Sequence, residues 1–132
     1  MATEGTMTAP ALVLIAEDEE PIAEVVATVV EDAGYTPRLA AHGREALELA
    51  RAEQPALLIT DLMMPYLSGA ELIAALRSDA AAGGHAPLPV ILITAAGPAQ
   101  ARAAGADAVL RKPFELLELD ALLRRFLEAQ AC

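Results

Sequence analysis

Five polar residues stand where apolar runs stop, and their types suit one kind of chemistry. Glu17 and Asp18 follow Ala-Leu-Val-Leu-Ile-Ala, Asp61 follows Ala-Leu-Leu-Ile-Thr, Thr94 closes Pro-Val-Ile-Leu-Ile-Thr, and Lys112 follows Asp-Ala-Val-Leu-Arg and precedes Pro113. If these runs are strands of one parallel sheet, their ends gather at one edge, where ligands bind in open α/β sheets. Three carboxylates meeting there repel one another and need a counter-charge, or their pKa values rise. A hard divalent cation with oxygen ligands supplies that charge, and Mg²⁺ typically takes a few carboxylates plus water and phosphate oxygens. Lysine adds a mobile point charge suited to phosphate. A threonine hydroxyl can donate to a phosphoryl oxygen. Acids, metal, lysine and hydroxyl together describe phosphoryl transfer by positioning and charge neutralisation. A carboxylate can itself be the nucleophile, giving an aspartyl phosphate.

The elements that must hold these residues are legible as alternating strands and helices. The run 11–16 reads as a strand buried on both faces. Pro21 suits a helix start, Ile22, Val25, Val26, Val29 and Val30 recur at helical spacing, and Gly34 ends the helix. Residues 35–40 suit a second strand, with Pro37 tolerable at a sheet edge. Residues 43–53 suit a helix, 56–60 a third strand, 69–78 a helix, and the Ala- and Gly-rich stretch 79–88 a loop. A fourth strand at 89–94, a short helix at 98–104, a fifth strand at 107–111 and an amphipathic helix at 114–129 complete the chain. Five strands alternating with helices imply βαβ units and a parallel sheet covered on both faces. Residues 1–10 are expected to be a flexible tail ahead of one domain spanning 11–132.

Composition removes several classes of function. A formal net charge of −10 opposes direct binding to nucleic acid and to anionic membrane surfaces. Aromatics at 3%, with no Trp, leave no base-stacking platform. No apolar run reaches membrane-spanning length, and the start lacks the features of a signal peptide. A lone cysteine, Cys132, forms no internal disulfide and suits a reducing compartment such as the cytoplasm. His42 and His85 read as loop residues at the surface without partners.

Four stretches taken together resemble a known family. Leu-Ile-Ala-Glu-Asp-Glu (14–19), Thr-Asp-Leu-Met-Met-Pro-Tyr-Leu-Ser-Gly (60–69), Ile-Leu-Ile-Thr-Ala (91–95) and Lys-Pro-Phe (112–114) are similar to the receiver domain of two-component response regulators, over about residues 11–129. The resemblance implies an α/β, flavodoxin-like, doubly wound five-stranded parallel sheet of order 2-1-3-4-5. It implies that Asp61 is the phospho-acceptor and that Asp18 and Asp61 ligate Mg²⁺, with the backbone carbonyl of Met63 beside them and Glu17 acting mainly through water. It implies that Thr94, with Ala95 after it, forms the switch, and that Lys112 pairs with the acyl phosphate. Met64, Pro65 and Gly69 would shape the loop after Asp61, and the Lys112–Pro113 bond would be cis, making a turn that aims the lysine. The implied donor is a histidine kinase or a histidine phosphotransfer protein, and the output is contact with a downstream protein. Apart from the resemblance, apolar side chains of the last helix such as Leu117 could support a weak dimer, so a monomer or a weak dimer is expected.

Two departures from the family pattern stand out. Val109 occupies a place where receivers commonly carry Tyr or Phe, an aromatic that moves with the threonine and relays the state outward. The stretch from Thr94 to Lys112 is a few residues short, so the fourth helix is expected to be short or partly unwound, with low order over about 95–105; Gly97–Pro98 also breaks its start. Two alternatives follow: a non-phosphorylated pseudo-receiver used as a scaffold, and a small phosphatase-like α/β enzyme. The second would ordinarily show another Asp two residues after the nucleophile, where this chain has Met63. The Gly-rich signature of a P-loop NTPase is absent from the sequence.

Overall fold

The computed structural model describes residues 11–131. Strands β1 (Leu12–Ala16), β2 (Thr36–Ala40), β3 (Leu57–Asp61), β4 (Val90–Thr94) and β5 (Ala108–Arg111) alternate with helices α1 (Glu20–Asp32), α2 (Gly43–Glu53), α3 (Gly69–Gly83), α4 (Pro98–Ala103) and α5 (Leu116–Ala131). All strand pairs are parallel, and the order is β2-β1-β3-β4-β5. This is the doubly wound flavodoxin-like sheet expected from the sequence.

The continuous apolar runs are explained by helices on both faces. Val13 and Ile15 of β1 join Leu57, Ile59, Ile91 and Ile93 in one core, closed by Val26 and Val30 of α1 and Leu119 and Leu123 of α5. Leu14 and Ala16 point the other way, with Leu58, Val90 and Leu92, against Ala46 of α2, Leu72 and Ile73 of α3, and Ala101 of α4. The central strands β3 and β4 are buried along their whole length. β2 is an edge strand and mostly exposed, which accommodates Pro37.

Three local expectations are corrected. Helix α3 continues through Gly83, so the first part of the stretch read as a loop is helical. The Ala80–Ala82 run has high helix propensity, Ala80 is buried against the core, and Gly84 in the left-handed region (φ 70°) stops the helix. α5 starts at Leu116, two residues later than expected, after the turn that carries Pro113. His42 has partners after all: its Nδ1 accepts from the Glu45 N–H at 3.2 Å, capping α2, and its ring meets the edge of Tyr66 at 4.9 Å. A cap of this kind satisfies a helix N–H that has no partner within the helix. His85 is exposed, as expected, but it too has a partner, its Nδ1 lying 3.1 Å from the Ala86 carbonyl oxygen. The fourth helix has six residues, again as expected. The tail 1–10 and Cys132 lie outside the described residues.

Candidate functional site

Strand register assembles the site. Ala16 pairs with Thr60, so Glu17 and Asp61, each one residue further on, emerge side by side from β1 and β3. Asp61 pairs with Ile93, which places Thr94 one step beyond it on β4. Thr94 pairs with Arg111, so Lys112 leaves β5 at the same edge. The Lys112 N–H donates to the Thr94 carbonyl at 2.9 Å, extending that ladder by one bond.

The carboxylates converge. One ligand oxygen from each of Glu17, Asp18 and Asp61 lies within 4.8 Å of the others. Glu17 and Asp61 are buried (5% and 7% exposed), whereas Asp18 is open to solvent. Lys112 Nζ sits 3.0 Å from Asp61 Oδ2, 3.1 Å from Glu17 Oε1 and 3.4 Å from Glu19 Oε1. The other Asp61 oxygen, Oδ1, accepts from the backbone N–H groups of Leu62 at 2.7 Å and Met63 at 3.4 Å. Glu17 Oε2 accepts from the Glu19 N–H at 3.1 Å.

Burial, with the Asp61 charge adding to it, pushes the Glu17 carboxyl above its ordinary value, against the pull of the Glu19 N–H and Lys112. For Lys112, burial favours the neutral amine, but hydrogen bonds and charges from Asp61 and Glu17 outweigh it and hold the ammonium well above the ordinary lysine value. The lysine is therefore a fixed cation at neutral pH, facing a surplus of negative charge.

The loop after Asp61 is held from both ends. Ser68 Oγ accepts from the Glu71 N–H at 3.1 Å while Glu71 Oε1 accepts from the Ser68 N–H at 2.9 Å, a reciprocal cap that fixes the start of α3. Gly69 donates its N–H to the Leu62 carbonyl at 2.8 Å. A Cβ on Gly69 would collide with the Asp61 carbonyl oxygen and come within 2.9 Å of Leu62 Cα, so only glycine permits this approach. A Cβ on Gly43, at the start of α2, would likewise strike the Leu67 carbonyl oxygen.

A cleft of about 450 Å³ opens over the acids, lined by Asp18, Asp61, Met63, Lys112 and, from the β4–α4 connection, Thr94 and Ala95. Thr94 is fully buried, and its Oγ1 accepts from the Ala96 N–H at 2.9 Å. The Lys112–Pro113 peptide is cis. The residues expected at the site thus come together, with Met63 at the cleft and Pro65 in the loop between Asp61 and α3. Val109 is the exception: it lies on β5, 38% exposed, and does not line the cleft. Sequence reasoning missed Glu19 as a partner of Lys112, although the acidic run 17–20 was a visible signal, and it missed Gln100, which also lines the cleft. Nothing in a short Ala-rich helix marks Gln100 out in advance.

A wider groove lies at the opposite end of the sheet, lined among others by Arg51, Pro55, Asp79, His85 and Leu88. None of the expected site residues is there. No helix among the described residues is long and apolar enough to cross a membrane.

A family model described as the response regulator receiver domain matches residues 13–124. The response regulator Rre1 of Synechocystis sp. is 37% identical over 129 residues, covering 94% of this chain and 54% of that protein. The chain spans about half the length of the curated relatives it matches. Among solved structures, the chemotaxis response regulator CheY4 of Vibrio cholerae is 32% identical with a TM-score of 0.78, covering 90% of this chain and 99% of that one. The receiver domain of Ssk1 from Saccharomyces cerevisiae, solved with the histidine phosphotransfer signaling protein Ypd1, gives a TM-score of 0.85 at 25% identity, covering 95% of this chain and 94% of the matched chain.

Proposed function

The chain belongs to the response-regulator receiver family, and from that premise we propose that it accepts a phosphoryl group on Asp61. The observation that carries the proposal is the setting of Asp61: a buried carboxylate with one oxygen held by two backbone N–H groups and the other paired with Lys112 at 3.0 Å. A nucleophile fixed in this way needs little reorganisation to reach an in-line approach.

The donor is a phosphohistidine on a histidine kinase or a histidine phosphotransfer protein, the kind of partner with which the Ssk1 receiver domain was crystallised. A carboxylate oxygen of Asp61 forms a bond to phosphorus, the phosphorus–nitrogen bond breaks, and its electron pair returns to the imidazole. Lys112 compensates charge on the phosphoryl oxygens. Thr94, fully buried beside the cleft, donates its hydroxyl proton to no group among the described residues and can offer it to a phosphoryl oxygen while its oxygen keeps the Ala96 N–H. The loop that carries Thr94, Ala95 and Ala96 then favours a second arrangement, the basis of a two-state switch. Water later hydrolyses the acyl phosphate.

The three clustered carboxylates fit Mg²⁺: they are hard oxygen donors, and a single lysine leaves them with excess negative charge. Asp18, Asp61 and the Met63 carbonyl would hold the ion, with Glu17 acting through water. Its contribution when bound is to neutralise charge on the transferring group. We assign the chain as one receiver domain, residues 11–132, acting in the cytoplasm through a downstream protein, as a monomer or weak dimer, and without direct contact to nucleic acid or membrane.

The test is intact mass after incubation with acetyl phosphate or phosphoramidate. A phosphoryl adduct is expected with Mg²⁺, and none with EDTA or in Asp61→Asn. A folded, Mg²⁺-binding protein that gives no adduct with these donors or with a phosphohistidine protein would favour the scaffold alternative.

A further inference from the structure

Gln100 lines the cleft alongside Thr94, Ala96 and Lys112, yet it has no part in the transfer chemistry described above. It sits in the first turn of α4, and its Oε1 accepts from the Gly97 N–H at 3.3 Å. An N–H can bond only to the carbonyl end of the carboxamide, so the orientation of the amide is set. Its Nε2 is left with two donor hydrogens, and among the described residues it donates to no protein group. Two other donors at the cleft are already engaged: Lys112 Nζ faces three carboxylates, and the Ala96 N–H is held by Thr94, so Gln100 Nε2 stands beside the Thr94 hydroxyl as a donor left for an incoming acceptor.

A phosphoryl group on Asp61 would bring several acceptor oxygens into this cleft. We propose that Gln100 reads the phosphoryl group: its Nε2 donates to a phosphoryl oxygen while its Oε1 keeps the Gly97 N–H. One side chain then ties the state of Asp61 to the first turn of α4. The inference rests on the reading of Asp61 as acceptor. It gives this chain a route from site to surface that does not need an aromatic on β5, where Val109 stands outside the cleft.

The donated bond also covers the phosphoryl group on its exposed side. In hydrolysis a water oxygen bonds to phosphorus, the bond from phosphorus to the Asp61 oxygen breaks with its electron pair returning to the carboxylate, and the water proton passes to solvent. A side chain that holds the phosphoryl oxygens and shields phosphorus slows that step.

Two variants separate reading from capping. Gln100→Glu keeps an acceptor for the Gly97 N–H but loses the donors; Gln100→Met loses both. The measurements are the decay of the phosphoryl adduct after removal of the small donor, and amide hydrogen exchange over residues 97–101 with and without phosphorylation. Mg²⁺ affinity and thermal midpoint serve as controls for an intact fold. Both variants are expected to shorten the lifetime of the adduct about three- to tenfold, the effect of one hydrogen bond to a charged group partly retained in the transition state. Both are also expected to lose the added protection that phosphorylation gives the wild type at 97–101. If Gln100→Glu matches the wild type in lifetime and protection, Gln100 is a helix cap alone and the proposal falls. If both variants match the wild type, the proposal falls while acceptance by Asp61 stands. If the wild type forms no Asp61-dependent adduct, both fall together.

Discussion

Replacing Lys112 with methionine exposes the charge balance of the site most sharply. Methionine keeps most of the side-chain volume and removes only the ammonium, which lies 3.0 Å from Asp61 Oδ2 and 3.1 Å from Glu17 Oε1. At an effective dielectric of about 20, each contact is worth roughly 5 kcal/mol of gross attraction. Desolvation of the ammonium offsets part of that, and removing one partner of a buried pair typically costs about 3–5 kcal/mol. Glu17 and Asp61 would be left 5% and 7% exposed with no cation beside them, so the loss should fall in that range. A domain of this size has about 5–15 kcal/mol of stability, so Lys112→Met should remain folded but weakened. The loss should depend on metal. With Lys112 gone, no cation among the described residues pairs with the three carboxylates, and Mg²⁺ should stabilise the variant more than the wild type. A ligand at a hundred times its Kd contributes about 2.7 kcal/mol. The assay is urea denaturation at pH 7.5 in EDTA and in excess Mg²⁺. A gap between variant and wild type that shrinks by about 1–3 kcal/mol on adding Mg²⁺ supports the account. An equal gap in both buffers, or a loss under about 1 kcal/mol in EDTA, would refute it.

Further outcomes follow from the same geometry. Gly69→Ala should lose about 1–3 kcal/mol on denaturation and slow phosphorylation as well, because its Cβ would strike the Asp61 carbonyl oxygen; a variant as stable and as reactive as the wild type would contradict the packing described. The raised pKa of Glu17 means that the folded state holds a proton more readily than the unfolded one just above the ordinary carboxylate value. Metal-free stability should therefore gain nothing from Glu17 ionisation, and should instead fall as pH rises through that window. Mg²⁺ needs the ionised form, so the thermal shift it gives should be larger at pH 7.5 than near pH 5, and an unchanged shift would count against Glu17 as part of the metal site. Hydrogen exchange in the unphosphorylated protein should be faster over residues 95–105 than in α3 or α5, since α4 has only six residues and begins after Gly97; uniform protection would remove that expectation.

Much of the site was visible before the fold, because its chemistry sits where the pattern changes. In β1, β3 and β4 a run of buried, mostly aliphatic residues leads directly to Glu17, Asp61 or Thr94, the shorter and half-exposed β5 ends one residue before Lys112, and a parallel sheet can only bring those ends together. The glycine at position 69 was legible through its motif, and the reason only glycine serves there became clear from the approach of α3 to the Asp61 carbonyl. What was not legible depends on packing across elements. The end of α3 was misread because Ala-rich sequence suits both loop and helix, and burial of Ala80 decides for helix. His42 offered no local sign of its contact with Tyr66, which lies on a different loop. Gln100 could not be singled out, since its importance lies in which cleft a short helix happens to face.

The most direct measurement is to locate the phosphoryl group itself. The Mg²⁺- and donor-treated protein would be reduced with borohydride, which converts an aspartyl phosphate to homoserine, then digested and sequenced by tandem mass spectrometry. Homoserine at position 61, absent without Mg²⁺ and absent without donor, is the result expected. Modification at Asp18 or Glu17 instead, or an adduct mapped to a residue outside the cleft, would contradict the assignment of Asp61 as the acceptor.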